Sequence, residues 1–253
     1  MTLARRDTEL RELMDADDCD PVRLDRTLRR FTVINQLVGG WATVVRREVL
    51  TRLDDARRTG ATVRVLDVGC GGGDVLRGVV ARLRRHGLHV EGVGIDPDPR
   101  AIAVATRIES PGITYRAVHA EELATAMPAS GETFDLVISN HVLHHLTGPQ
   151  RRSFLAATAS LASRVVIHSD IRRGRLAYML YALLAIPFAR GTFLRVDGLR
   201  SIRRSYRAGE LAEVVPRGWR VRPSRPFRLL AVYEAGSAPG RSSQRGRDGS
   251  GRD

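Results

Sequence analysis

The stretch Leu-Asp-Val-Gly-Cys-Gly-Gly-Gly-Asp, residues 66–74, sets Asp67 and Asp74 on either side of a glycine turn. Gly69, Gly71 and Gly73 read G-x-G-x-G, with Cys70 as a small side chain inside the turn, so backbone can come close to a ligand there. The dinucleotide pattern G-x-G-x-x-G, counted from Gly69, would need glycine where Asp74 stands, and no G-K-[ST] follows to make a P-loop. Two carboxylates would repel a diphosphate. They suit a ligand that carries an ammonium group and a sulfonium. A second acid, Asp96 in GVGIDPDP, lies about twenty residues on, where its two oxygens can accept both hydroxyls of a ribose diol. A third group, NHVLHHL, supplies His141, His144 and His145, and HSD adds His168 and Asp170. Imidazole is matched to proton removal near neutral pH.

The elements that must position these residues follow from periodicity. Asp20 caps and Pro21 starts a helix over 20–38, with Leu24, Leu28, Phe31, Ile34 and Val38 at helical spacing, and Gly39 and Gly40 break it. A second helix runs from Trp41 through Val45, Val49 and Leu53. From residue 62 the period changes, and the β-branched runs TVRVLDV, HVEGVGI, ITYRAV, FDLVIS and SRVVIHS alternate with helical stretches at 74–86, 98–108 and 149–162. That alternation predicts an α/β fold with a doubly wound, mostly parallel sheet, which binds ligands at the carboxyl ends of its strands. WRVRPSR and FRLLAVYEA read as a final pair of strands. Residues 1–60 form an N-terminal helical cap, 61–235 the main domain with an insertion at about 171–206, and 236–253 a tail too poor in apolar groups to fold.

S-adenosylmethionine carries both the ammonium and the sulfonium that the turn invites. Ala120, through its backbone, and Glu121 in VHAEEL could line its adenine. Strand, glycine loop, acid after the second strand, Ala-Glu after the third and N-H-x-x-H-H-L after the fourth occur in one order over residues 62–170. In that order they resemble the class I S-adenosylmethionine-dependent methyltransferases, most closely the branch that methylates quinones, lipids and other small molecules. The resemblance implies a Rossmann-like methyltransferase fold with an antiparallel last strand. It also implies cofactor contacts at Asp67, Gly69, Cys70, Gly71, Gly73, Asp96, Pro97, Ala120, Glu121 and Asn140, and a lid from INQLVGGW over the methionine end, unless Asn35 and Gln36 merely face solvent. One departure is His119, where such enzymes often carry aspartate. Methyl transfer from a sulfonium is an in-line displacement that chiefly needs positioning. Where the acceptor is a phenol, His144 or His145 is the expected base, facing a pocket walled by 171–206, with its pKa lowered by apolar surroundings.

The acceptor is less legible. N-P-P-[YF] and D-P-P-Y, which amino-directed nucleic-acid methyltransferases carry after the fourth strand, are absent from the sequence. The net charge of +13 comes entirely from arginine, with no lysine, and the arginines do not form one stripe with interleaved aromatics, so no nucleic-acid partner is expected. LAYMLYALLAIPF is apolar nearly all round and too short to span a bilayer; it reads either as a buried core helix or as the wall of a pocket for a hydrophobic phenol, quinone, polyketide or lipid-like acceptor. Peripheral membrane contact stays open. Cys19 and Cys70 offer neither a disulfide framework nor a metal cluster, no metal is expected, and the charged start predicts a cytoplasmic chain. An RNA methyltransferase and a non-catalytic cofactor-binding subunit remain the rival readings. The oligomeric state is not legible.

Overall fold

The computed structural model describes residues 3–16, 18–127 and 133–236. The expected tail therefore lies outside the described residues beyond Gly236. Seven strands, β1 (Val63–Val68), β2 (Val90–Asp96), β3 (Ile113–Ala117), β4 (Phe134–Asn140), β5 (Ala162–Ile171), β6 (Trp219–Ser224) and β7 (Arg228–Glu234), form one sheet in the order β3-β2-β1-β4-β5-β7-β6. β1 to β5 pair in parallel, and β7 lies antiparallel to both β5 and β6. The sheet is thus mostly parallel with an antiparallel last strand.

The two-residue period of each strand divides its side chains between two cores. Val63 and Val65 of β1, Leu136 and Ile138 of β4, and Val165 and Ile167 of β5 pack on one face with Val75, Leu76, Val79 and Val80 of α4 (Asp74–Arg85). Leu66, Val68, Val137 and Val166 turn to the other face. There they meet α6 (Ala120–Ala126), α7 (Gly148–Leu161) and α10 (Ala208–Val214) through Leu123, Leu155 and Leu211. Helices on both faces leave the strand ends, not the faces, for a ligand.

A helix follows Asp20, where the spacing predicts one. Asp20 Oδ1 accepts hydrogen bonds from Val22 N (2.8 Å) and Arg23 N (3.1 Å), starting α1 (Pro21–Val38), whose Leu24 and Leu28 cluster with Ala101 and Val104 of α5 (Pro99–Ala105). The second helical stretch begins as α2 (Trp41–Val44), then widens to a π-helical turn over Val45–Val49 and tightens to a 3-10 turn at Leu50–Arg52. α3 (Asp54–Thr59) follows. Among the described residues before Asp20 none is helical. They form a strap tied down by Leu13 N and Met14 N donating to the Asp197 carboxylate (2.8 and 3.0 Å) and by Arg173 Nε donating to Leu3 O (3.1 Å).

The insertion carries α8 (Arg175–Leu184) and α9 (Leu194–Arg204). α8 is not a core helix: Ala177 is buried, but Leu176, Met179 and Leu183 are 58 to 65% exposed. Among the described residues no helix is long and apolar enough to cross a membrane.

Candidate functional site

The glycine turn sits at the carboxyl end of β1. Gly69, Gly71 and Gly73 all have positive φ (72°, 52° and 74°), a region that side chains with a Cβ rarely enter. Gly69 N and Cys70 N donate to Ile95 O at 2.8 and 3.0 Å, anchoring the turn to β2. Asp96 stabilises it further: one carboxylate oxygen accepts from Gly71 N and the other from Asp98 N, both at 2.9 Å. The cleft above is bordered by Asp67, Gly69, Cys70, Gly71, Asp96, Pro97 and Asn140, so seven of the ten expected cofactor residues meet there. Gly73, Ala120 and Glu121 do not border it. Gly73 is instead required by packing, because a Cβ there would come within 2.5 Å of the Tyr115 hydroxyl.

Asp67 is the exceptional group. Its residue is 1% exposed, yet among the described residues neither carboxylate oxygen has a hydrogen-bond partner of good geometry, and only the Leu76 backbone amide comes near enough to favour its charge. Burial first, then the negative charges of Asp74 and Asp96, raises its pKa well above the ordinary carboxylate value. Burial likewise raises Asp74 and Asp96, although Asn35 Nδ2 donates to Asp74 at 2.9 Å. The Cys70 thiol is pushed up by burial and then by Asp67 and Asp96, so it stays neutral. Asn35 borders the cleft and is joined to Asn140, whose Nδ2 donates to Asn35 Oδ1 at 3.4 Å and whose Oδ1 accepts from Trp41 Nε1 at 3.2 Å. Within the stretch from Asn35 to Trp41, Asn35 borders the cleft and Trp41 reaches it through Asn140; the side chain of Gln36 lies outside the described residues.

The histidines separate into different roles. His168 is sealed in the core, its ring nitrogens on Ser139 Oγ (2.7 Å) and Thr158 Oγ1 (3.0 Å) and its ring stacked on Trp219; burial lowers its pKa to about 3. His144 is also fully buried and borders neither the cleft nor the apolar cavity described below. Its Nδ1 lies 2.7 Å from Asp170 Oδ1 and its Nε2 3.2 Å from Glu12 Oε1. Burial alone would lower its pKa, but Asp170 and then Glu12 outweigh it and raise the value to about 9. The expectation of a pocket-facing His144 with a lowered pKa is thus reversed, because two carboxylates enclose a ring that the sequence shows only beside apolar neighbours. His145 does border the cleft, with Nδ1 3.1 Å from Asp15 Oδ2 and Nε2 3.5 Å from Glu12 Oε1.

A separate apolar cavity of about 330 Å³ lies behind Phe31 and Ile34, walled by Ala177, Leu180, Tyr181 and Leu184 of α8 and by Ile202 of α9. The insertion therefore does wall a pocket, but the imidazole on it is His141, not His144 or His145. Phe31, His141 and Ser201 border both this cavity and the cleft. His141 adopts a positive φ of 65° and its N–H donates to Ser169 O at 2.9 Å; burial and then the guanidinium of Arg228 push its pKa well below the ordinary value. Arg228, 3% exposed, donates to Ser169 Oγ at 2.8 Å and also reaches Asn140 Oδ1 and His141 Nε2. Burial lowers its pKa to about 10, with Asp170 opposing. Glu12, Ser201 and Arg228 are the site residues that sequence reasoning missed. Each stands far along the chain from the motifs, and no local spacing marks them.

A family model described as a methyltransferase domain matches residues 65–164, the span from β1 to β5 that holds the turn, Asp96 and the histidine loop. Residues 65–164 thus carry a methyltransferase domain. Over 87 residues this domain is 47% identical to the ubiquinone biosynthesis O-methyltransferase of Rhizobium etli, covering 33% of this chain and 31% of that protein. Over 145 residues it is 34% identical to the enzyme of the same name from Pseudomonas putida, covering 54% and 59%. The chain thus spans about a third to three fifths of the length of these curated relatives. Among solved structures, the CurJ carbon methyltransferase superposes with a TM-score of 0.56 at 17% identity, covering 86% of this chain and 61% of that one. The plantazolicin methyltransferase BpumL, solved with SAH and a monoazolic analogue, gives 0.51 at 14% identity, covering 85% and 96%. Both share the fold. The residues present fit the S-adenosylmethionine that the sequence suggests: Asp67 is a buried carboxyl group without a counter-charge at a glycine turn, whose ionised form an ammonium would stabilise, and Asp96 has a carboxylate fixed in place by two backbone amides.

Proposed function

We propose that the chain methylates a hydrophobic, hydroxyl-bearing small molecule, such as a phenol or a quinone-derived ring, with S-adenosylmethionine as donor. The observation that carries this reading is the shared wall of Phe31, His141 and Ser201 between the acid-lined cleft and the apolar cavity. Bound in the cleft, the donor would supply a methyl group on a positively charged sulfur. Asp67 would bind its ammonium group and Asp96 its ribose hydroxyls, while Gly69, Cys70 and Gly71 leave backbone exposed beneath it. Pro97 stands beside Asp96 at the adenosine side, and Ala120 and Glu121, at the start of α6, would come into contact with the adenine as the ligand fills the cleft. Asn140 would stay fixed by Trp41 and Arg228 at the methionine side. Apolar groups of α8 would bind the acceptor ring and exclude water from it, and the relatives' name, ubiquinone biosynthesis O-methyltransferase, supports a phenol or quinone class.

Of the two imidazoles expected to deprotonate the acceptor, only His145 borders the cleft. With Glu12 and Ser201 it forms the polar end at which an acceptor hydroxyl would lose its proton. The rest of the rate would come from alignment. The test is calorimetric titration with S-adenosylmethionine and its demethylated product, followed by labelled-methyl incorporation into a panel of lipophilic phenols and hydroquinones. Micromolar binding with label in the organic-extractable phenols is expected. No binding, or label transferred only to RNA, would overturn the reading.

A further inference from the structure

Three groups from two parts of the chain converge on a single oxygen, Oε1 of Glu12: His144 Nε2 at 3.2 Å, His145 Nε2 at 3.5 Å and Ser201 Oγ at 2.5 Å. Ser201 Oγ donates to this oxygen, the role of His144 Nε2 depends on its tautomer, and His145 Nε2 stands at ion-pair rather than hydrogen-bond distance, so hydrogen bonding alone does not account for the cluster. The spacing fits another arrangement. Zinc bonds of about 2.0–2.1 Å to imidazole nitrogen and carboxylate oxygen place neighbouring ligand atoms of a tetrahedron about 3.3–3.4 Å apart. One ligand atom from each of Glu12, His144 and His145 lies within 4.8 Å of the others.

We propose that Glu12, His144 and His145 form a zinc-type divalent-metal site at the edge of the cleft, with a remaining coordination position open to it. The surroundings are those that metal-ligating histidines need. The Nδ1 of each ring is held by its own carboxylate, Asp170 for His144 at 2.7 Å and Asp15 for His145 at 3.1 Å. Such partners fix the tautomer that leaves the Nε2 lone pair for a cation. The ligand set of two imidazoles and one carboxylate favours zinc or a neighbouring transition ion over magnesium or calcium, which prefer all-oxygen sites. Glu12, Asp15, His145 and Ser201 all border the cleft, so the open position faces it. Water or an acceptor hydroxyl bound there would lose its proton more readily, as metal-bound oxygen does. Only that last use rests on the proposed function; the metal site stands on the contacts themselves.

The test uses the full chain, stripped with chelator and titrated with Zn²⁺ against a chromophoric competitor, and separately with Co²⁺ by visible absorption. About one Zn²⁺ per chain and an intense four- or five-coordinate Co²⁺ spectrum are expected. His145→Ala, which leaves the buried His144 and Asp170 pair intact, should weaken binding at least a hundredfold, and Glu12→Gln likewise. Asp15→Asn should weaken it about ten- to a hundredfold through the His145 ring. His86→Ala, at the exposed end of α4, should change nothing. Absence of stoichiometric binding, or unchanged affinity in both His145→Ala and Glu12→Gln, would overturn the site. Parallel titration with the demethylated cofactor separates the two proposals: cofactor binding without metal removes the metal site alone, and metal without cofactor removes the proposed function alone.

Discussion

Two groups of buried acids lie at strand ends on either side of β4, one on β1 and one on β5, and differ in how their charge is met. At the end of β1, Asp67 has no counter-charge and no well-formed hydrogen bond among the described residues, and burial, Asp74 and Asp96 oppose its charge against the Leu76 backbone amide alone. At the end of β5, Asp170 accepts from His144 N (2.9 Å) and lies against its ring, and its pKa is held below the carboxylate range by His144, then His141 and Arg228, despite burial. Burial therefore does not tell what a carboxylate is for; the presence of an internal cation does. A satisfied acid ties the chain together, whereas an orphaned one costs stability until something from outside neutralises it.

The largest expected effect breaks the satisfied side. Asp170→Asn leaves His144 without its main counter-charge, and denaturant unfolding should show a loss of about 3–5 kcal/mol. A loss below about 1 kcal/mol would erase the distinction. On the orphaned side Asp67→Asn should act with opposite signs in two assays. Cofactor affinity should fall by about 1.5–3 kcal/mol, the range for hydrogen bonds to charged groups, while the melting temperature of the free protein rises. A lowered melting temperature would mean that Asp67 has a structural partner after all. Asp96→Ala should weaken cofactor binding within the same range but should also loosen the turn, because Gly71 N loses its acceptor.

Acidity sharpens the contrast further. Asp67 is raised in the folded chain, so its contribution to stability is fully present below the ordinary carboxylate value and is lost as pH rises through its raised value. Asp170 is depressed, so its contribution is present above the ordinary carboxylate value and is lost as pH falls through its own low value. Measured in metal-free protein, the stability differences of Asp67→Asn and Asp170→Asn from the parent should both shrink at low pH and open in opposite directions as pH rises. Parallel curves of the same sign would refute the comparison. The smallest effect is Asn35→Ala, which removes the hydrogen bond to Asp74; it should cost about 0.5–1.5 kcal/mol, read by thermal melting, and raise the proton affinity of Asp74 further.

By itself the sequence determined whatever depends on near neighbours in the chain. The two-residue period from residue 62 marked the strands, and Asp20 with Pro21 marked the start of α1 to the residue. The glycine turn and Asp96 were legible because positive φ and a strand-end acid leave a local signature. Other features were legible only in part: LAYMLYALLAIPF was recognisable as a pocket wall, but not as a helix with its outer side exposed, because its apolar residues encircle it and no period points inward. Which histidine faces which neighbour was decided by tertiary structure alone. His141 and His144 look alike in NHVLHHL, yet burial and Arg228, brought in from 87 residues away, lower the proton affinity of the first, while Asp170 and Glu12, from 26 and 132 residues away, outweigh burial and raise that of the second. The electrostatic field at a buried ring is set by the charges within a few ångströms, and distance along the chain does not report it.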